Sequence, residues 1–326
     1  MEIRIAETTQ LSEKEWASYV EHFNAVFKQH FDKDHFKHKY LTTIDGTSYH
    51  ALLIENAEVV GCCSVIPHVY VFGTEKIKIG LAVDVFIHED FRSDPYALYR
   101  MYKELCLYIK AQGLALVIAV PNDVAYPYWK NIVKWRDIGF IPYYAIPLRI
   151  ANVLKSDKTI LNFASRAFFV FLTYVSKVAS WFWNPAEQNQ PIRIDRSNAI
   201  VEKQRYTQEH HRVLEQDTFF SYRIVNEGDV VTAYLIDFYN VHRRKRDARS
   251  LHNAVHFIAQ KNKIDIIVFV GKLTFPQFYL IKVPFSKEAK HLYFMADIII
   301  PHELFKKEFI CSYSNWDFGL FNYDVR

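Results

Sequence analysis

Cysteine is scarce in this sequence. Four occur in 326 residues, Cys62 and Cys63 are adjacent, and their spacing suits neither a metal site nor a disulfide framework. They read as buried thiols in a reducing compartment, and no metal is expected. A strong charge of one sign is also lacking: a net charge of +4 over this length gives no global field to attract DNA, so any anion site must be a local cluster. The opening residues MEIRIAETTQLSEKEW contain no apolar signal core, which points to the cytoplasm rather than to secretion. Apolar residues, in contrast, make up 50% of the chain and aromatics 16%, with 26 Phe and 21 Tyr. That composition excludes disorder and predicts extensive cores or aromatic-lined grooves. The length suits two domains, each able to bury its own core.

Residues 81–142 are the most informative. The run LAVDVFI (81–87) is apolar and β-branched enough for a buried strand, and the turn HEDFRSD leads into a helix from Pro95 to about Gln112, with Asp94 as cap and Pro95 as first residue. LALVIAV (114–120) is a second continuous apolar run, so strand, helix and strand form a crossover unit with parallel strands. The helix start then lies at the strand ends, facing a ligand crevice. After the second strand come Pro121, Asn122, Ala125, Lys134, Trp135, Ile138, Gly139 and Pro142.

This segment resembles the core of the GNAT superfamily of acyltransferases, and the Pro-Asn and Lys-Trp series resembles a branch associated with bacterial surface polysaccharides. The resemblance implies an acyl-coenzyme A co-substrate, with its pyrophosphate cradled by backbone N–H groups of the turn. The turn positions are Arg92, Ser93, Asp94, Pro95, Tyr96 and Ala97; Arg92 and Ala97 fit the family pattern, and Pro95 stands where the pattern has Gly, which removes a donor. The resemblance also implies that backbone groups of Val85, Phe86 and Ile87 hold the thioester and pantetheine.

Acyl transfer to an amine needs a base for the amine, polarisation of the carbonyl and a proton for the thiolate. Asp84 on the first strand is a candidate base, or else a structural carboxylate. His88 at the strand end is the other, since imidazole titrates near neutrality. Tyr126 and Tyr128 are candidate acids, or else core aromatics beside Trp129. Asn122 either orients pantetheine or the amine, or caps the next helix.

A repeat links the two halves. Phe36, Lys39 and Tyr40 in DHFKHKY are echoed by Phe220, Arg223 and Ile224 in TFFSYRI, each followed by a hairpin, one turning at Asn56 and the other at 226–229. Asp84 matches Asp237 and Val120 matches Val270, which suggests duplication of one unit. In the second copy the turn is VHRRKRDARS, followed by a helix over about 251–261 and a strand over 264–270. Its cations Arg243, Arg244, Lys245, Arg246 and Arg249 form either a solvated loop or a phosphate site. Residues 161–183 predict a helix that is apolar nearly all round. Its two cations argue for an interface, such as one between copies of the chain, over a stable membrane span.

The sequence therefore predicts an α/β protein of mixed sheets in two tandem GNAT-like units: 1–150 with the acyl-CoA site, 151–197 as interdomain helix and linker, and 198–326 as a reduced second unit. The expected activity is acyl transfer from acyl-CoA to a small primary amine, such as a nucleotide-linked amino sugar, by direct attack. The alternatives are a non-catalytic GNAT-like binding protein and an aminoacyl-tRNA-dependent Fem-like transferase.

Overall fold

The computed structural model describes residues 1–181, 191–206, 209–288, 290–301 and 306–323. Described residues of 1–140, 190–205 and 292–316 form one compact unit, and those of 141–189, 206–291 and 317–326 form a second. Strands and helices are numbered along the chain.

In the first unit β1 (Glu2–Glu7), β2 (Tyr49–Glu55), β3 (Glu58–Phe72) and β4 (Glu75–Ile87) form an antiparallel series, and β5 (Leu116–Ala119) adds to β4 in parallel. The sheet continues through β14 (Tyr293–Ile298) to β6 (Arg136–Phe140). β8 (Ile192–Ile194) pairs with β3 and with β15 (Trp316–Asp317). The β2–β3 hairpin turns at Asn56 and Ala57, with φ of 52° and 59°, the doubly positive geometry that matches strand twist.

Helices α1 (Glu13–Phe27) and α2 (Lys33–Leu41) precede the hairpin, and α3 (Ala97–Ala111) joins β4 to β5. Ser12 and Glu15 form a capping box at the start of α1, and Asp32 caps α2 through the His35 amide at 2.8 Å. α3 buries Ala97, Met101, Leu105 and Ile109, spaced at helical intervals, against a core that includes Val65 and Val117. Val85 and Ile87 join that core, whereas the Phe86 ring meets Tyr19 and Phe23 of α1 at 5.6 and 5.7 Å between centroids. Neighbouring β4 residues thus serve opposite faces of the sheet.

The second unit has a six-stranded sheet. Its order is β13 (Ile281–Lys282), β7 (Tyr143–Pro147), β12 (Ile266–Val270), β11 (Val230–Asn240), β10 (Thr218–Glu227) and β9 (His211–Glu215). Among the described residues only β11 and β12 run parallel, and α8 (Ala248–Lys261) connects them. Short helices α4 (Tyr126–Tyr128), α5 (Ile150–Val153) and α7 (Ala199–Arg205) and the long α6 (Thr159–Trp181) complete the elements needed here. Both sheets are mixed, as expected, and the order hairpin, turn, helix, parallel strand occurs in each.

Several expectations are corrected. The units are not the contiguous segments 1–150 and 198–326, because β14 from the C-terminal part completes the first sheet and β7 lies within the second. Part of the expected linker, 191–197, contains β8. Phe36, Lys39 and Tyr40 lie on α2, whereas Phe220, Arg223 and Ile224 lie on β10, so that part of the echo joins a capped helix to a paired strand. α3 starts at Ala97 and not at Pro95: the Asp94 side chain accepts from the Tyr96 amide at 2.8 Å, forming an Asx turn ahead of the helix. Residues 182–183 and the linker as far as 190 lie outside the described residues, as do 324–326.

Candidate functional site

The parallel pair β4–β5 is short. Ile79, Gly80 and Leu81 oppose Leu116, Val117 and Ile118, while β4 runs on to Ile87 paired only with β3 among the described residues. The two strands therefore part beyond Leu81. The parting coincides with a bulge in β3–β4, where Cys62 faces Phe86 and Ser64 faces Val83, so Cys63 opposes both Asp84 and Val85. Asp84 takes φ of 50° there.

Backbone direction follows from the hydrogen bonds. The His88 amide donates to the Val60 carbonyl on β3 at 2.8 Å. Because strand amides alternate in direction, those of Val85 and Ile87 point away from β3, into the gap. The Ile87 carbonyl points the same way and accepts from Arg92 Nε at 2.8 Å. A gap with outward amides can hold an extended amide-bearing chain and polarise a carbonyl placed at its end.

The turn after β4 is less open. Asp94 accepts from the Tyr96 amide and pairs with Arg100, whose hydrogen bond is the main cause holding the Asp94 carboxyl below its usual range. The Ala97 amide donates to the Asp94 carbonyl at 3.2 Å. The Tyr99 amide donates to the Tyr128 hydroxyl at 3.3 Å, and that hydroxyl donates to the Pro95 carbonyl at 2.6 Å. The amides of Tyr96, Ala97 and Tyr99 are thus already engaged, and a carboxylate occupies a place where a phosphate oxygen would bind. Ser93 lies in this turn; Tyr96 is exposed and Ala97 buried.

The candidate acid–base residues fall into different settings. The Asp84 carboxylate has no exposure, and its Oδ2 meets Lys39 Nζ at 2.6 Å and accepts from the Tyr40 hydroxyl at 2.5 Å. This is the structural reading of Asp84: the carboxylate is closed off by α2. His88 is more accessible, with Nδ1 3.6 Å from Asp90 Oδ2 and its ring 4.7 Å from that of His22 on α1. The Asn122 side chain accepts from the Ala125 amide at 2.8 Å, in the turn ahead of α4. Tyr126 stacks on Tyr293 at 3.8 Å, and its hydroxyl accepts from Lys130 at 2.8 Å. Tyr128 ties α4 to the start of α3; burial raises its phenol. In the Lys-Trp series, Lys134 takes φ of 68° to end a helical turn, and Trp135 packs on Trp129 at 4.6 Å.

Sequence reasoning missed His22 and Lys39 as members of this region. The helical spacing of Phe36 and Tyr40 marks the buried face of α2, but nothing local shows that Lys39 turns toward β4. The Cys62 and Cys63 thiols are buried, and burial pushes Cys62 up to about 12. Among the described residues no group of three or more His, Cys, Asp or Glu side chains is placed to hold a metal.

The equivalent place in the second unit uses another cation. β10–β11 shifts register where Ser221 faces Asp237 and Tyr222 faces Leu235. Asp237 accepts from Arg246 Nη2 at 2.8 Å, and Arg246 Nη1 donates to Asp317 at 2.7 Å. Arg246, with its side chain 4% exposed, is therefore a buried counter-ion and not a member of a free phosphate loop.

These features define a GNAT-type fold, and solved structures agree. An Enterococcus faecalis protein of unknown function, named as a "Probable N-Acyltransferase", matches with a TM-score of 0.59 at 12% identity, covering 92% of this chain and 73% of that one. A GCN5-related N-acetyltransferase from Anabaena variabilis matches with 0.57 at 13% identity, covering 91% and 73%. The Saccharomyces cerevisiae N-myristoyltransferase with bound myristoyl-CoA matches with 0.52 at 11% identity, covering 92% and 83%. At these identities the likeness shows the fold. No family model matches the sequence, and no curated protein does.

Proposed function

We propose that the first unit is an acyl-CoA-dependent N-acyltransferase. The observation that carries this reading is the parting of β4 from β5 beyond Leu81, with the Val85 and Ile87 amides directed into the gap. In this reading the acyl-CoA thioester and pantetheine lie along those amides, with Arg92 and Tyr96 toward the diphosphate. The amine nitrogen attacks the thioester carbon directly: a C–N bond forms, the C–S bond breaks, and the leaving thiolate takes a proton from water. His88, beside His22, accepts the amine proton and returns it to solvent, which balances the proton the thiolate takes. Asp84 holds the bulge through Lys39, and Tyr128 positions the turn. An amino sugar carried by a nucleotide is the acceptor we favour, on the resemblance of the 121–142 series. The buried thiols suit a reducing, cytoplasmic setting.

The turn supports a second reading. With the Tyr96 amide held by Asp94, the fold also fits a binding module that no longer takes up coenzyme A. Calorimetry with coenzyme A, and thiol release from acetyl-CoA with a panel of amines, separate the two. Binding together with thiol release that falls at least about tenfold in His88→Gln supports the transferase. Absence of both leaves the binding module. The third reading, a tRNA-dependent transferase, loses ground because Arg246 is committed to Asp237 and Asp317.

A further inference from the structure

Helix α6 departs from the usual arrangement of a surface helix, which hides its apolar side: much of its apolar surface is exposed. Its polar side chains face the second unit. Ser165 is buried and donates to the Leu148 carbonyl at 2.8 Å, and Ser176 is buried and accepts from the Phe278 amide at 2.8 Å. Thr173 is buried beside them, and Asn162 accepts from the Ala151 amide at 2.8 Å. Phe169 is buried in the second unit's core and Leu172 packs against it, but a second set of apolar side chains faces outward: Ile160 is 71% exposed, Phe163 75%, Phe171 60% and Tyr174 69%, with Val170 at 60%. At 100° per residue these five share an arc of about 100°.

The charge on this helix is of one sign. Within Thr159–Trp181 there is no acidic residue, and the exposed cations Arg166 and Lys177 stand on the same edge of the apolar arc. The helix is long and apolar enough to cross a membrane by length and composition, but only 22% of the 18-residue window that meets that test is buried. Its polar side is bound into the second unit by the hydrogen bonds above. That holds it along the surface of the second unit, with its other face exposed among the described residues.

We propose that α6 is an interfacial helix that seats this protein on an anionic lipid surface, with its aromatic and aliphatic face at the acyl boundary and Arg166 and Lys177 against the headgroups. A second copy of α6 would bring the same cations and no acid to meet them. A bilayer with anionic lipid supplies both the apolar phase and the counter-charge.

The test is flotation of the full-length protein with vesicles of phosphatidylcholine and phosphatidylglycerol in equal parts, and with phosphatidylcholine alone. The protein floats with the mixed vesicles, does so less with the neutral ones, and is released as salt is raised. The pair Phe163→Ser and Phe171→Ser abolishes flotation while circular dichroism and the thermal midpoint hold, since both residues are exposed. The pair Arg166→Gln and Lys177→Gln weakens binding at least about tenfold. Failure of the unmodified protein to float with mixed vesicles overturns the proposal, as does flotation that the phenylalanine pair leaves unchanged. A dimer in lipid-free buffer that the phenylalanine pair abolishes assigns the face to a second copy and overturns it too.

Discussion

Lys39 places its ammonium 2.6 Å from Oδ2 of Asp84, whose carboxylate is wholly buried at the bulge of β4. Tyr40 donates to the same oxygen, and Tyr19 is 2.6 Å from the Tyr40 hydroxyl. Burial first, and then the Asp84 charge, hold the Tyr40 phenol well above its usual value, so it stays a donor. Lys39→Ala takes this cation away from the buried carboxylate and is expected to cost about 3 to 5 kcal/mol. Urea unfolding measures this, and a variant that unfolds at the unmodified midpoint removes the pair from the account of stability. Lys39→Met combined with Asp84→Leu should recover much of the loss, because an apolar pair carries no buried charge.

Arg246 gives the corresponding prediction for the second unit. Its guanidinium lies between Asp237 and Asp317 and over the Phe238 and Phe269 rings at 5.5 and 5.4 Å. Arg246→Ala should destabilise by about 3 to 5 kcal/mol. Arg243, exposed in the same loop, should change stability by less than about 0.5 kcal/mol when replaced by Ala. Equal effects of the two substitutions in denaturant would mean that the loop acts as one cluster of charge.

The contrast between those residues shows what the sequence carries. The alternation and turn chemistry around Asn56, the apolar run 114–120 and the stripe of α3 are local patterns, and the two mixed sheets follow from them. The Asp84–Asp237 correspondence was also legible, because each lies at the same step of a repeated strand. Their counter-ions were not. Lys39 comes from a helix before the strand and Arg246 from a loop after it, so one electrostatic need is met by residues with no shared sequence position. β14 completes the first sheet from about 170 residues beyond β5, a non-local pairing that periodicity cannot specify. At the candidate site nothing in the apolar run 81–87 marks where β4 parts from β5. At Asp94 the sequence predicts a helix cap where the structure has an Asx turn, because both use the same residue types.

Buried imidazoles make stability depend on pH. Burial pushes His50 down to about 3 from an ordinary 6.5, and it pushes His252 down to about 4, aided by His256 and Lys177. Below pH 6.5 the unfolded chain binds protons that the folded one does not. Unfolding free energy is therefore full above that pH and falls as the pH drops toward the folded values. Each such imidazole contributes a loss of about 1.4 kcal/mol per pH unit once that range is entered. Urea unfolding at about pH 7.5 and about pH 5 should show the loss. His50→Gln, retaining partners for Thr8 and Ser64, should reduce it. Stability that is level across this range would show that His50 is reached by water and protonates in place.

Asp94 is the residue on which the two functional readings divide. Its carboxylate engages the Tyr96 amide and Arg100, so an incoming diphosphate meets a like charge and finds both partners taken. Asp94→Ala removes the charge, exposes the amide and releases Arg100, which is half-exposed and can then pair with phosphate. If coenzyme A lies at this turn, the substitution should tighten its binding by about tenfold, the scale of one unit charge acting near the surface. The Asx-turn hydrogen bond itself is worth about 1 kcal/mol, so the thermal midpoint should fall only slightly. Calorimetry with coenzyme A on both proteins gives the answer. Tighter binding places the diphosphate at the start of α3, and unchanged or weaker binding shows that Asp94 closes a turn that coenzyme A does not use.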